Sequence, residues 1–426
     1  MSECKTCRTD MSRAVFLVLA SCLLVATATY AATQELPRAA SPEAEGIDPA
    51  ALELLLQDAK ASQSSAVVIL KNGKLVGEWS FAKHGSRIEA MSVTKSVVGI
   101  AVAKLLADGK IPSLDVPVHH YFPEWNQGRK RDVTLRHLLN HTSGLDAGPS
   151  PLEIYQRPDF VKLALASEMS AAPGTQLQYN NKAVNLLAGI IEKASGKRMD
   201  RYIAEALFRP LGITDSGWTL DRAGNPHVMA GVQLRPRDLA KLGQLLVDGG
   251  MWQLRRLLPQ EWVKRLISPG EGAAAGTGLL WWPLRAWQRF FVDDSLLAAW
   301  KQAGVPQKLI DAAANQKGKV FSDSRSYLDA LGASEEELDA LWSRKLEMAT
   351  VEKGPVVGAQ ANGYLGQFVV VIPEHRLVAV RMLEASNEQG EPDPSTGFDN
   401  FIPRTLALVK LGQPPPRGAG QAQGAP

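Results

Sequence analysis

The chain has 426 residues, of which 45% are hydrophobic, enough to bury a large core in one domain or in two closely joined domains. Its formal net charge of +3 at pH 7 is too small to provide the basic surface on which nucleic-acid binding depends. All three cysteines, Cys4, Cys7 and Cys22, lie within the first 31 residues. Beyond those residues the sequence therefore excludes disulfides, zinc-thiolate sites and cysteine nucleophiles.

Residues 1–31 have the composition of a leader for export. Three basic residues precede an apolar run from 14 to 28, which ends among small residues suitable for cleavage. We therefore expect a signal peptide at 1–31 and a periplasmic or secreted mature protein. The run is too short for a comfortable membrane span, so no stable span is expected once the leader is removed. A lipoprotein signal at Cys22 is the alternative, but the apolar run continues past this residue.

The first elements expected after the leader are a helix, a hairpin and a second helix. A capping aspartate, a proline and a leucine-rich stretch predict a helix over 48–59. Asn72-Gly73 lies between two apolar runs and predicts a β-hairpin over 65–81. The second helix begins at Ser92 and is expected to end at Gly109, because glycine readily adopts the left-handed conformation of a helix C-terminus.

Ser92 and Lys95 lie three residues apart at the start of this second helix. The spacing places a hydroxyl and an amine on one face, about one turn apart. The free N–H groups of a helix start would also stabilise negative charge that develops beside Ser92. The same Ser-x-x-Lys spacing occurs at Ser2 and at Ser80, but only Ser92 begins a long apolar-periodic segment. Ser92 is therefore the candidate nucleophile, the alternative being an ordinary serine at a helix start.

Two polar strings follow in the middle of the chain. His137 and His141 are four residues apart, but no third ligand and no H-E-x-x-H pattern accompanies them. We interpret both histidines as structural and predict no metal site. The string Tyr179-Asn180-Asn181 follows a Pro-Gly turn and precedes an apolar helix. By itself, this string is an ordinary turn and helix cap.

The C-terminal part supplies the remaining strands. Residues 286–348 have a helical, charged composition and are predicted to form an inserted helical lobe. Two apolar runs around a polar turn predict a second hairpin over 368–382, whereas the Pro-, Gly- and Gln-rich residues 412–426 are expected to be disordered. Strand-forming segments thus lie near both ends of a single domain at 32–411. This distribution predicts an α+β fold with a central antiparallel sheet from both chain ends, flanked by helices.

Several separated strings occur in the order typical of one enzyme family. They are Ser92-Val93-Thr94-Lys95, Leu114-Asp115-Val116-Pro117, His141-Thr142-Ser143-Gly144-Leu145, Pro173-Gly174 before Tyr179-Asn180-Asn181, and the segment from Gly363 to Pro373. The chain resembles the serine β-lactamase-related hydrolases, which include class C β-lactamases and D-Ala-D-Ala carboxypeptidases. It is most similar to their branch of esterases and 6-aminohexanoate-dimer-hydrolase-like enzymes. The resemblance covers about residues 45 to 411 and implies a β-lactamase/transpeptidase-like fold without a cofactor.

The resemblance also implies roles for three residues. Ser92 corresponds to the acylated nucleophile, Lys95 to its proton acceptor or to the group that tunes it, and Tyr179 to a second acid/base group. A serine hydroxyl is a poor nucleophile until a base takes its proton, and a lysine can do so only if its pKa is lowered. The sequence leaves open which of Lys95 and Tyr179 accepts the serine proton.

Three further residues are implied to bind the substrate. Asn181 corresponds to the amide that holds the substrate, while Gly363 and Tyr364 lie on the strand that supplies an N–H to the oxyanion. Family members that act on β-lactams or peptidoglycan usually carry Lys-Thr-Gly or His-Thr-Gly there. This chain has Ala361-Asn362-Gly363, which carries no charge for a substrate carboxylate.

These residues together predict an exported serine hydrolase that acts through an acyl-enzyme on a small ester or linear amide. A β-lactamase or D-Ala-D-Ala carboxypeptidase is one alternative, and a non-catalytic, penicillin-binding-like envelope protein is another. An α/β-hydrolase is excluded because the chain has no G-x-S-x-G string. The sequence gives no indication of the oligomeric state.

Overall fold

The computed structural model describes residues 35–148, 150–344, 346–385, 398 and 400–414. The predicted signal peptide and Cys22 lie outside the described residues, and so does the predicted disordered tail from residue 415 onward. Within the described part of the chain, no helix is both long enough and apolar enough to cross a membrane.

The described residues form strands, α-helices and short helical turns. In chain order the strands are β1 Ala66–Lys71, β2 Lys74–Ser80, β3 Ile88–Glu89, β4 Ser216–Trp218, β5 Val232–Leu234, β6 Met251–Trp252, β7 Arg255–Arg256, β8 Trp282–Arg285, β9 Gln288–Phe291, β10 Thr350–Lys353, β11 Val356–Gly363, β12 Gln367–Ile372 and β13 Leu377–Met382. The α-helices are α1 Pro49–Ala61, α2 Val93–Ala107, α3 Leu135–Leu139, α4 Leu152–Tyr155, α5 Phe160–Ala166, α6 Asn181–Val184, α7 Leu186–Ser195, α8 Met199–Ile203, α9 Pro236–Val247, α10 Gln260–Ile267, α11 Asp294–Gln302, α12 Gln307–Ala314, α13 Ser324–Leu331, α14 Glu335–Ser343 and α15 Phe401–Ala407. Short 3-10 or π turns occupy Glu43–Glu45, Val118–His120, Pro123–Trp125, Gly128–Asp132, Ala204–Phe208, Arg209–Leu211, Gly272–Ala274, Tyr364–Gly366 and Pro373–His375.

The main sheet joins the two ends of the domain. Its six strands lie in the order β2-β1-β13-β12-β11-β8, and every neighbouring pair is antiparallel. The predicted first hairpin is confirmed as β1 and β2, with Asn72 and Gly73 both at positive φ in the connecting turn. The second hairpin is confirmed as β12 and β13. The predicted α+β fold with a central sheet from both chain ends is therefore confirmed.

Both faces of the sheet are covered by helices. Along β1, Val68 and Leu70 face the larger core, which includes α2, whereas Val67 and Ile69 face a second core built by α1 and α15. Side chains alternate between the faces of a strand, so a strand covered on both sides needs apolar residues at every position. This explains the continuous apolar run of β1.

The predicted helical lobe has a small core of its own. Helices α11 to α14 lie between β9 and β10, which pair antiparallel, and the buried side chains of Trp300 and Tyr327 belong to this core. The composition of 286–348 did not reveal β9, because a four-residue strand carries too little alternation to stand out beside four helices. The lobe begins directly after β8, which is the edge strand of the sheet, and ends before β11, which is the strand next to it.

Candidate active site

Ser92 lies at a tightly fixed junction between strand and helix. Ala90 N–H donates to the carbonyl of Val232 on β5, and the Thr94 hydroxyl accepts from Val232 N–H at 3.1 Å. Between them Met91 adopts a positive φ of 48°, a conformation that non-glycine residues rarely take. Such strained residues persist where the surrounding structure holds them. The start of α2 is therefore positioned by β5 as well as by its own first turn.

Three side chains converge on the Ser92 hydroxyl. Ser92 Oγ lies 3.0 Å from Lys95 Nζ and 2.8 Å from the Tyr179 hydroxyl. Lys95 Nζ is also 4.8 Å from the centre of the Tyr179 ring. The structure thus brings together the three residues that the sequence assigns to catalysis, although Tyr179 is 87 residues away from Ser92 in the chain.

Lys95 is buried beside a carbonyl and not beside a carboxylate. Only 3% of the residue is exposed, and Nζ lies 2.6 Å from the carbonyl oxygen of Met229. Among the described residues, no Asp or Glu forms an ion pair with it. Burial lowers the pKa of Lys95 well below its usual value, because the charged amine is desolvated. The side chain is thus suited to accept a proton from Ser92.

The pKa of Tyr179 is shifted in the opposite direction to that of Lys95. The residue is 39% exposed, while its hydroxyl lies within hydrogen-bonding distance of Ser92 Oγ. Burial of the hydroxyl end raises the pKa of Tyr179 to about 12, against a smaller opposing effect of the Ser92 hydrogen bond. At neutral pH the phenol is therefore protonated and can donate a proton.

Asn185 is a site residue that the sequence analysis missed. Its Oδ1 accepts from Val228 N–H at 3.0 Å and from Met229 N–H at 3.2 Å, so it fixes the carbonyl that holds Lys95. Its Nδ2 donates to the Asn181 carbonyl at 3.0 Å. The available signal was a lone asparagine inside an apolar helical segment, since a buried amide needs hydrogen-bond partners.

The two asparagines after Tyr179 have different environments. The Asn180 carboxamide accepts from Ala183 N–H and donates to the Leu145 carbonyl. It therefore caps α6, and both of its polar atoms have hydrogen-bond partners. Asn181 Oδ1 is buried and has no hydrogen-bond partner among the described residues. An unsatisfied buried acceptor is costly, and a donor on a bound substrate would relieve that cost. This is consistent with the predicted position of Asn181 in substrate binding.

The end of β11 abuts the Ser92 junction. A Cβ at Gly363 would lie 2.9 Å from the Ala90 carbonyl and 3.1 Å from Met91 Cβ, so a larger residue would push the strand away. Tyr364 follows with half of its surface exposed. Gly363 of the predicted oxyanion segment therefore lies against the two residues that precede Ser92, and Tyr364 is the next residue along the chain.

The two histidines interpreted as structural, His137 and His141, make different contacts. His137 Nδ1 accepts from Thr134 N–H and completes a capping box on α3. His141 is 2% exposed and its ring contacts that of Tyr179, with 4.7 Å between ring centroids. Burial, with a smaller effect of nearby Lys95, lowers the pKa of His141 to about 3. In the described part of the chain, no group of His, Cys, Asp and Glu could hold a metal ion.

Comparison with known proteins gives one family. A family model described as Beta-lactamase matches residues 52–396. Esterase EstB of Burkholderia gladioli is 34% identical over 263 residues, which are 55% of this chain and 62% of the esterase. The 6-aminohexanoate-dimer hydrolase of Paenarthrobacter ureafaciens is 24% identical over 233 residues, 50% of this chain and 59% of that enzyme. The chain therefore spans about three fifths of the length of these two curated relatives.

Solved structures give the same fold. EstCE1, described as a hydrolase with promiscuous acyltransferase activity, matches with a TM-score of 0.55 at 15% identity, over 84% of this chain and 97% of that one. A penicillin binding protein from Bacillus halodurans matches with a TM-score of 0.51 at 16% identity, over 77% of this chain and 94% of that one. At these identities the likeness extends to the fold alone.

Proposed function

The chain belongs to the beta-lactamase family, and on that premise we propose that it is an exported serine hydrolase that cleaves a small ester or linear amide through an acyl-enzyme. The observation that carries the proposal is the convergence of Lys95 Nζ and the Tyr179 hydroxyl on Ser92 Oγ, at 3.0 and 2.8 Å. Export rests on the leader composition of residues 1–31.

In the first step, Ser92 attacks the substrate carbonyl while neutral Lys95 takes the hydroxyl proton. The new bond joins Ser92 Oγ to the carbonyl carbon, and the negative charge moves to the carbonyl oxygen. The N–H of Ser92 and an N–H at the end of β11 are the proposed donors to this oxygen. Removing one such donor typically costs about 3 to 4 kcal/mol of transition-state stabilisation.

In the second step, the leaving group departs and takes a proton from Tyr179. The Tyr179 hydroxyl is suited to this because its pKa of about 12 keeps it protonated. The proton on Lys95 then restores the phenol, and a water molecule releases the acyl group by the same steps in reverse order. General acid-base catalysis of this kind is typically worth ~10²- to 10⁴-fold in rate. These electrostatics favour Lys95 over Tyr179 as the acylation base.

Uncharged groups around the nucleophile favour an ester or linear amide over a β-lactam. The strand segment Ala361-Asn362-Gly363 carries no cation for a substrate carboxylate. Aromatic surface is available instead, since the rings of Tyr179 and Trp282 lie 6.2 Å apart and both are partly exposed. A small acyl group would pack against these rings.

The proposal is tested by labelling and by a substrate series. The full-length mature protein should react with a fluorophosphonate probe at Ser92, and Ser92→Ala should abolish labelling. Among p-nitrophenyl acetate, a chromogenic cephalosporin and a D-Ala-D-Ala peptide, the ester should be hydrolysed fastest. A wild-type protein that takes no label would favour the non-catalytic alternative, and a cephalosporin rate above the ester rate would favour a β-lactamase.

A further inference from the structure

His141 holds the polypeptide on both sides of Tyr179. Its backbone carbonyl accepts from Gln178 N–H at 2.8 Å, and its ring Nδ1 accepts from Asn180 N–H at 3.2 Å. These are the residues immediately before and after Tyr179. The ring also contacts the Tyr179 ring directly. One buried residue therefore fixes the backbone that carries the phenol, as well as one face of the phenol itself.

The His141 ring is held in turn from its other side. Trp282 stacks on it with ring planes 6° apart and 6.0 Å between centroids. The neighbouring Trp281 donates its indole N–H to the Ser96 carbonyl, which ties this strand start to α2. The backbone of His141 has a positive φ of 55°. A strained backbone at a fully packed residue indicates that the surrounding contacts fix this geometry.

The hydrogen bond from Asn180 decides the protonation state of the ring. A backbone N–H can only donate, so Nδ1 must present its lone pair and any ring proton must lie on Nε2. A doubly protonated ring would lose this bond and place a positive charge near Lys95. Among the described residues, the titratable groups with a ring contact or an electrostatic effect on His141 are Tyr179 and Lys95. Its further partners Asn180 and Trp282 do not titrate.

We propose that His141, in its neutral form, is a positioning residue that keeps the Tyr179 hydroxyl within hydrogen-bonding distance of Ser92 Oγ. It touches neither the substrate nor the reacting atoms and acts through Tyr179. The inference rests on the proposed hydrolase function and deepens it. It assigns to the histidine of the His141-Thr142-Ser143-Gly144 string a role in delivering the leaving-group proton.

The test compares two replacements at His141. Asparagine tolerates positive φ and its Oδ1 offers an acceptor near the position of Nδ1, whereas phenylalanine keeps a stacking ring without an acceptor. Phenylalanine at His137 is the matched control, because His137 also accepts a backbone N–H but does not contact Tyr179. Rates are normalised to the active sites titrated by the fluorophosphonate probe, so that unfolded protein does not contribute.

The readout is the dependence of kcat/KM on the leaving group, because kcat/KM reports acylation, the step in which the leaving group departs. A p-nitrophenolate leaves without a proton, but an alkoxide needs one from Tyr179. We expect His141→Phe to lower kcat/KM for an alkyl ester by about 10²-fold, an effect that a 1 Å misplacement can produce. The loss for p-nitrophenyl acetate should be at least tenfold smaller, and His141→Asn should recover most of the alkyl-ester rate.

Equal losses for both esters in His141→Phe, or no loss, would overturn the inference, and so would a His137→Phe variant with the same leaving-group dependence. If His141→Phe yields no titratable sites, His141→Gln replaces it, since its amide lies at the position of Nε2 and not of Nδ1. A wild-type protein without a titratable serine would overturn the proposed function itself, which separates the two failures.

Discussion

Two buried lysines have opposite surroundings, one in the Ser92-Val93-Thr94-Lys95 string and one directly after Tyr179-Asn180-Asn181. Lys95 is 3% exposed and meets the Met229 carbonyl, whereas Lys182 is 4% exposed and forms ion pairs with Asp146 at 3.3 Å and Glu153 at 3.2 Å. Burial without a carboxylate favours the neutral amine, and burial with two carboxylates supports the ammonium. The same side chain at the same depth thus has the surroundings of the proposed base in one place and forms structural ion pairs in the other.

The ion pairs of Lys182 also connect neighbouring segments of the chain. The Lys182 side chain joins α6 to Asp146 and Glu153 through its two ion pairs. A Cβ at Gly148 would lie 2.9 Å from Lys182 Nζ and 2.6 Å from Glu153 Oε2, so the residue beside the Lys182–Glu153 pair has to be small. Glu153 belongs to α4, whose Tyr155 is exposed. Lys182 therefore links α6 to the helix that carries this exposed aromatic residue.

The largest expected effect comes from replacing the amine of Lys95, which can accept a proton, with a permanently protonated group. Lys95→Arg places a guanidinium that does not deprotonate in proteins, so the serine proton has no acceptor. We expect kcat/KM for p-nitrophenyl acetate to fall by ~10²- to 10⁴-fold. Lys104→Arg, in the same helix but at the surface, should stay within about twofold of wild type. An active Lys95→Arg enzyme would show that Lys95 is not the base.

The second effect concerns stability and not catalysis. Lys182→Met leaves the carboxylates of Asp146 and Glu153 without their partner. Because both acids are partly exposed, we expect a loss of roughly 2 to 3 kcal/mol in the free energy of unfolding, below the usual cost of breaking a fully buried pair. Urea denaturation measures this loss, and Lys162→Met, which removes an exposed ion pair with Asp159, should change it by less than about 0.5 kcal/mol. A large loss of kcat per titrated site in Lys182→Met would contradict a purely structural role.

His141 extends the comparison, because it too is buried without a carboxylate partner among the described residues. Its pKa is about 3 in the folded protein, while an unfolded histidine titrates near 6.5. Between these values the unfolded chain binds a proton that the folded chain does not, so stability is lost as pH falls from about 6.5 towards 3. Between pH 7 and pH 5, wild type should lose about 2 kcal/mol more stability than His141→Asn. Urea denaturation at both pH values checks this, with exposed His120→Asn as control; equal losses in all three proteins would refute it.

The smallest expected effect comes from Asn185→Asp, a substitution that makes the surroundings of Lys95 more like those of Lys182. Asn185→Asp keeps an acceptor for Val228 N–H and Met229 N–H but introduces a negative charge behind the carbonyl that holds Lys95. This charge should raise the pKa of Lys95, so the acid limb of kcat/KM moves to higher pH and the rate at pH 7 falls about tenfold. The rate should recover at higher pH, and a uniform loss at all pH values would instead indicate misplacement of Met229.

The elements that the sequence predicted correctly are those with local causes. Asn72-Gly73 closes its hairpin, Asp48 caps α1 by accepting Ala51 N–H, and Gly109 ends α2 at a positive φ. Each of these depends on a few neighbouring residues. The Ser92–Lys95 pair was equally accessible, because three residues along a helix always bring two side chains to one face. Tyr179 was found only through the order of the family's strings.

By itself, the sequence therefore determined the central sheet, the family and the candidate nucleophile with its lysine. Only the tertiary structure decided that the pKa of that lysine is lowered, since the burial that desolvates the amine and the Met229 carbonyl, 134 residues along the chain, come from distant segments. It also decided the contacts of Asn185 and His141, whose partners lie 44 and 39 residues away. Lys95 and Lys182 look alike in sequence, because the presence or absence of a carboxylate beside a buried amine is a property of packing and not of spacing.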